Sequence, residues 1–339
     1  MNLNILWFIL LAVIILGWSV MDGFAYGVGG LLKFIAKNDN ERRYVINSIG
    51  PVWEGNQVWL ILGGGAVFAA FPFVYAAIFS GFYLAMMLVV WLIIFRAVSF
   101  EFRSRVESTG WRNFWDSSIT VTGLGIALLF GVAIANILMG IPLNKEHIDY
   151  QSLFSLLNIF GLVGGLISLS MFLMHGSTYL IMKTEGGIQK RARVFASGFA
   201  YAYIIFTILF LLLSLVFAQR LLNNSFGIIG DIVPIIMIIG GIGVIVSAKS
   251  LKSDIKPFAY SVLGIVGAVA SLAVGIFPDI VPSSINPKYS LNIYNSASNH
   301  LTLFVMLIAT IIGLPLVLIY AFYAYKKFGL KVKMDESSY

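Results

Sequence analysis

Residues 51–76 read PVWEGNQVWLILGGGAVFAAFPFVYA, a run apolar enough to cross a bilayer that still carries an acid, Glu54. An ionisable group in a membrane span is costly, which marks it as a candidate functional residue. A carboxylate there can take up and release a proton or bind a cation. It can also be a first-turn residue favoured by the helix dipole, because Pro51 suits a helix start. Asp22 poses a similar choice. It lies about ten residues before the basic end of the first apolar run, roughly 15 Å deep at helical rise. Trp18, Asp22 and Tyr26 are spaced by four and share a helix face. Asp22 reads either as a proton-relay or ion-site carboxylate, or as a buried acid held by hydroxyls or an arginine. Arg96 closes a third apolar run, as a snorkelling anchor or as the partner of a buried acid. Asp116 opens a fourth run, as a helix N-cap or as part of a charged site. With alternating spans, Glu54, Arg96 and Asp116 share one depth, and together they are expected to form a charged cluster where protons enter.

The spans that must position these groups follow from composition. The chain has 339 residues, 59% apolar and only 11% charged, with mean hydropathy +0.93. A soluble domain is about a quarter charged, so this is an integral membrane protein. Repeated apolar blocks of about 20 residues predict an all-α polytopic bundle. Nine spans are expected, at 4–31, 51–74, 76–98, 116–138, 153–181, 196–218, 227–247, 258–276 and 301–324. The second and third divide only around Phe71-Pro72-Phe73, where Pro72 ends or kinks a helix. Of the 22 Lys and Arg residues, all but Lys145, Arg220 and Lys288 then fall on one side, the tail Lys331 and Lys333 included. The positive-inside rule places that side in the cytoplasm, with the N-terminus outside and the C-terminus inside. The same rule accounts for the net charge of +7 without nucleic acid. The first apolar run lacks a basic n-region and a clear cleavage site, so it is expected to be retained. The chain reads as a single polytopic membrane domain over 1–339.

Other chemistry is sparse. There is no cysteine, hence no thiolate metal site or disulfide. No phosphate-binding glycine loop, HExxH or nucleophile elbow occurs. Asn158, Gly161, Gly165, Ser168, Phe172, His175 and Tyr179 recur at steps of three and four, a seam suited to tight helix packing, with a role for His175 in proton or cofactor chemistry as the other reading. His147 and His300 read as surface residues. Only His175 lies inside a span, so no haem held by two facing histidines is expected in this chain. The glycines at 63–65 are expected to pack closely against another helix.

Several ordered motifs carry a resemblance. They are Met21-Asp22-Gly23-Phe24, Asn38-Asp39-Asn40-Glu41-Arg42-Arg43, Trp53-Glu54-Gly55-Asn56-Gln57-Val58-Trp59, Phe68-Ala69-Ala70-Phe71-Pro72, Ser80-Gly81-Phe82-Tyr83, Phe100-Glu101-Phe102-Arg103-Ser104 and Trp111-Arg112-Asn113-Phe114-Trp115-Asp116. In this order they resemble subunit II of the cytochrome bd-type quinol oxidases, most densely over about residues 15–180. The resemblance implies nine helices in two four-helix bundles plus one peripheral helix. It implies a non-haem subunit beside a haem-bearing subunit I, where haem b and haem d serve quinol oxidation and reduction of oxygen to water. It places Glu54 on a cytoplasmic proton pathway, and the reading of the residues adds Arg96, Asp116 and Asp22 to that path. It places Trp59, with Gln57, on an oxygen route or subunit interface. A small single-helix subunit and membrane lipid are further expected partners, and the bacterial cell membrane is the expected location. Three positions depart from the family: Glu54 replaces the common aspartate, Ala25 stands where many members have a second acid, and Ala97 replaces a proline after Arg96. From the residues alone, an ion-coupled secondary transporter with Glu54 and Asp22 as coupling sites is the alternative, and a purely structural scaffold is a third reading.

Overall fold

The computed structural model describes residues 2–147, 152–221, 226–329 and 331–332; Lys333 lies outside them. The first apolar run forms two helices, α1 (Leu3–Met21) and α2 (Gly23–Ile35), joined at Asp22. The amphipathic α3 (Asp39–Ile49) starts at Asn38, whose side chain accepts from the Glu41 N–H at 2.9 Å. Next come α4 (Trp53–Ala70), α5 (Pro72–Gly81) and α6 (Tyr83–Phe102). Pro72 at the start of α5 cannot donate to the preceding turn, and α4 and α5 meet at 119°. The expected third span at 76–98 is therefore two helices broken at Phe82. The chain continues with α7 (Thr109–Met139), α8 (Ile159–Lys183), α9 (Gly186–Phe217), α10 (Ile228–Lys249), α11 (Lys256–Ile276) and α12 (His300–Lys327). Among the described residues eight helices are long and apolar enough to cross a membrane, or nine if α4 and α5 count as one bent span.

Two boundaries correct the sequence reading. Helix α7 begins seven residues before Asp116, at Thr109, so Asp116 is not its N-cap. Helix α8 begins at Ile159, after a short 3-10 turn over Leu153–Leu157. The loop between α11 and α12 also contains a small antiparallel ladder, β1 (Asp279–Val281) with β2 (Leu291–Asn292), which no periodicity announced.

Helices α8, α9, α10 and α11 pack on one another in a closed ring, while α2 and α6 flank α7 and α2 also lies on α8. Helix α12 touches α1 and α4 from outside, and only 6% of its apolar stretch is buried. Past its end, Lys331 pairs with Asp254 at 3.1 Å and Glu185 at 3.3 Å, which ties the chain back to the basic end.

Glycine seams set the closest approaches. The Gly27 Cα faces the Phe172 carbonyl and Gly176, and Gly131 of α7 lies against Gly164 and Gly165 of α8. The α8 seam is thus a packing face, as its spacing indicated. Gly64 and Gly65 behave differently, because an added Cβ at either would meet nothing within 4 Å in this chain. A methyl at Gly27 has no such room. Gly27→Ala is expected to destabilise the bundle by about 1–3 kcal/mol through overpacking. The melting temperature of the purified protein checks this, and an unchanged value would contradict the packing described.

Candidate functional site

Asp22 sits at the junction of α1 and α2, fully buried, and its carbonyl accepts from the N–H groups of Ala25 at 2.9 Å and Tyr26 at 3.1 Å. Its side chain faces Arg96 of α6, which donates from Nη2 to Oδ1 at 3.3 Å. Arg96 is 1% exposed and lies over the Tyr26 ring at 4.3 Å, with the Trp53 ring at 5.7 Å. Arg96 thus pairs with Asp22, and neither Glu54 nor Asp116 forms an ion pair with it among the described residues. Arg96 is no snorkelling anchor but the partner of Asp22. Burying such a pair is costly, and it persists only where further polar contacts compensate. Trp18 Nε1, Asp22 Oδ2, Tyr26 Oη and Arg96 Nη1 are all buried and make no well-formed hydrogen bond among the described residues, although Tyr26 lies close enough to Asp22 and Trp18 to interact with both.

Asp116 belongs to a separate cluster at the basic end. Arg103 donates to it from Nε at 2.6 Å, and Arg42 from Nη1 at 3.0 Å. Arg103 also reaches Asp39 at 2.6 Å, and Arg112 holds the other oxygen of Asp39 at 2.9 Å. Glu41 pairs with Arg191 at 2.7 Å. Nothing in the linear order marked these acid–arginine pairings, because loop charges read alike until the fold chooses partners. Burial raises the Asp39 and Glu41 carboxyls, but the hydrogen bonds and charges of Arg103 on Asp39 and of Arg191 on Glu41 outweigh it and leave both below their usual range. Lowered carboxylates stabilise the fold above about pH 5, and that contribution disappears as pH falls through the folded values. Acidification below about pH 4 is expected to loosen α3 from the turn after α6 and from α7 and α9, read as a falling melting temperature. In Asp39→Asn the acid-side drop should be smaller.

Glu54 occupies the first turn of α4 and is exposed, with no ion pair among the described residues. Glu54, Val58, Ile61, Gly65 and Phe68 are all exposed and follow steps of four and three. They form one outward stripe, and Ile61 on it is 73% exposed. The inner side of the same turn is buried: Trp53 packs on Phe100 at 5.0 Å, and Asn56 Nδ2 donates to the Met21 carbonyl at 2.5 Å. Gln57 is half-buried with Nε2 unpartnered, and Trp59 is buried with its ring against Gly17 of α1.

His175 has both ring nitrogens engaged, Nδ1 with Ser261 Oγ at 2.7 Å and Nε2 with the Val20 carbonyl at 3.0 Å. In this arrangement neither is free for an iron, so the chain's buried histidine does not fit a haem ligand. No group of three or more His, Cys, Asp or Glu among the described residues could hold a metal ion. His147 Nδ1 lies 3.0 Å from the Tyr289 carbonyl, and His300 is exposed at the start of α12.

Fold and site together define a polytopic helical membrane protein with a buried intramembrane ion pair and an acid displayed on an apolar face. Residues 3–328 match the family described as cytochrome bd terminal oxidase subunit II, and the chain belongs to that family. Cytochrome bd-I ubiquinol oxidase subunit 2 of Escherichia coli strain K12 is 36% identical over 98% of this chain and 96% of that relative. Cytochrome bd ubiquinol oxidase subunit 2 of Bacillus subtilis strain 168 is 31% identical over 96% of each. The bd oxidase structure from Geobacillus thermodenitrificans shares the fold, with TM-score 0.77, 17% identity and coverage of 97% of this chain and 99% of that one. The chain is thus a multi-pass membrane subunit of a quinol oxidase, an oxidoreductase of more than one subunit, which implies a partner subunit I. The family does not favour the transporter alternative.

Proposed function

We propose that this chain supports a haem-bearing subunit I and delivers protons to it for the reduction of oxygen to water by quinol. The basic end faces the cytoplasm, with the N-terminus outside and the C-terminus inside, in the bacterial cell membrane. The chain acts as one polytopic domain over 1–339, its spans forming two four-helix bundles with α12 peripheral. Haem b and haem d reside in subunit I; a small single-helix subunit and lipid complete the surroundings. Protons enter past the charged cluster around Asp116 and pass by Glu54, with the Asp22–Arg96 pair as the buried element of the path. Gln57 and Trp59 lie at the subunit interface or oxygen route beside it.

One observation carries this reading: Glu54 is the acidic member of an exposed and otherwise apolar stripe on α4. An acid facing lipid is unfavourable, whereas an acid facing another subunit can pass a proton across the interface. The open space at Gly64 and Gly65, which line α4 near the same stripe, fits a helix that packs closely against a partner backbone. The test is oxygen consumption by the assembled complex carrying Glu54→Gln, with haem content measured alongside. Full haem with unchanged oxygen consumption would remove Glu54 from the path.

A further inference from the structure

The first span runs over Leu3–Ile35 with its helical hydrogen-bond ladder interrupted at Asp22, and two other helices bring side chains to the interruption. Met21 would ordinarily offer its carbonyl to the N–H of Ala25, but Ala25 bonds to Asp22 instead, at 2.9 Å. Asn56 of α4 donates to the Met21 carbonyl at 2.5 Å, and His175 of α8 reaches the adjacent Val20 carbonyl at 3.0 Å. A helix carbonyl released in an apolar interior must find another donor, and these two side chains supply donors at the break.

Both donors are themselves fixed. A carbonyl only accepts, so the proton of neutral His175 sits on Nε2, while Nδ1 lies 2.7 Å from the Ser261 Oγ, which also meets the Phe258 carbonyl at 2.7 Å. The ring is stacked on Phe258 at 4.7 Å and meets the Phe24 ring edge-on at 6.0 Å. Asn56 accepts from the Tyr325 hydroxyl at 2.9 Å, which sets its amide with the nitrogen toward Met21. His175 and Asn56 are buried, at 0% and 4% exposure. Gly23 follows the break pressed on the Phe172 ring, where an added Cβ would lie 2.7 Å from the nearest ring atom.

We propose that His175 and Asn56 are positioning residues: they clamp the Val20 and Met21 carbonyls, hold the helical ladder interrupted at Asp22, and so aim its carboxylate at Arg96. Neither touches haem, quinol or oxygen in this scheme; both act through Asp22. The consequence for turnover rests on the proton-carrying role of the Asp22–Arg96 pair. The consequence for the geometry of Asp22 does not.

The experiment uses the complete complex with its partner subunit. His175→Leu removes the donor, while His175→Gln keeps an N–H able to reach Val20. Oxygen consumption is measured across pH, haem content is measured spectroscopically, and the Asp22 carboxyl band is identified in infrared difference spectra by its loss in Asp22→Asn. His175→Leu is expected to retain haem, lower turnover about tenfold, displace one limb of the pH profile and shift the Asp22 band. His175→Gln should restore all of these, and Asn56→Leu should resemble His175→Leu. A His175→Leu complex with full haem, the wild-type pH profile and the wild-type Asp22 band overturns the proposal, as does failure of His175→Gln to restore them. If His175→Leu does not assemble, His175→Gln and His175→Asn decide the matter, since the two differ in reach; identical Asp22 bands overturn the proposal and different bands uphold it. If Asp22→Asn leaves oxygen consumption unchanged, the proton-carrying role falls. Positioning is then judged on the band alone, upheld by a shift in His175→Leu and overturned without one.

Discussion

Glu54→Gln is expected to lower oxygen reduction by the assembled complex about tenfold to hundredfold, with haem content preserved. Glutamine keeps the size and most of the hydrogen bonding of glutamate but cannot take up a proton. The exposed position of Glu54 makes this a clean substitution, because no ion pair among the described residues is broken. Glu54→Asp should recover most of the activity, since it restores an ionisable group at the residue type common in the family. Haem spectra separate the outcomes. Loss of haem with loss of turnover would assign Glu54 to holding the subunits together. Retained haem with slow turnover would assign it to proton delivery.

Arg96→Met is expected to be strongly destabilising. Removing one member of a buried pair leaves an uncompensated charge and costs about 3–5 kcal/mol. Here the stranded group would be Asp22, which has no exposure. The attraction of the guanidinium to the Tyr26 ring at 4.3 Å would vanish as well. The expected result is little or no assembled, haem-containing complex. Asp22→Asn should be milder, because its carboxamide oxygen still accepts from Arg96. The double variant Asp22→Asn with Arg96→Met removes both charges and should recover stability relative to Arg96→Met alone. Equal melting temperatures for wild type and Arg96→Met would show that the pair adds nothing to the fold. If the double variant is stable yet slow in oxygen reduction, the pair contributes to the reaction as well as to the fold.

Much of the architecture was legible because membrane insertion is a local matter. Apolar runs mark spans, and the ends of these runs mark depth. Asn38, Asn158 and Asn299 each cap the helix that follows, and these caps were not read from the sequence. The seam of α8 read correctly as a packing face. Its glycines leave room for a neighbouring backbone, and the period of three and four keeps them on one side. The run at 63–65 has the same composition, yet Gly64 and Gly65 face open space in this chain. Small residues permit a close approach without requiring one within the chain.

The sequence by itself determined the membrane class, the number of apolar crossings to within one, the basic side, and the motifs that place the chain among the bd oxidase second subunits. These depend on composition and order along the chain. Only the tertiary structure decided that Arg96 belongs to Asp22, 74 residues away, that Asp116 belongs to Arg103 and Arg42, and that Glu54 points outward from all of them. The physical reason is that rise per residue sets depth along a helix, whereas rotation about its axis is set by what the helix packs against. Residues at one depth can therefore face different neighbours. The surroundings of Asp22 belong to the same class of fact, because the side chains that meet the freed carbonyls there, His175 and Asn56, come from helices distant in the chain.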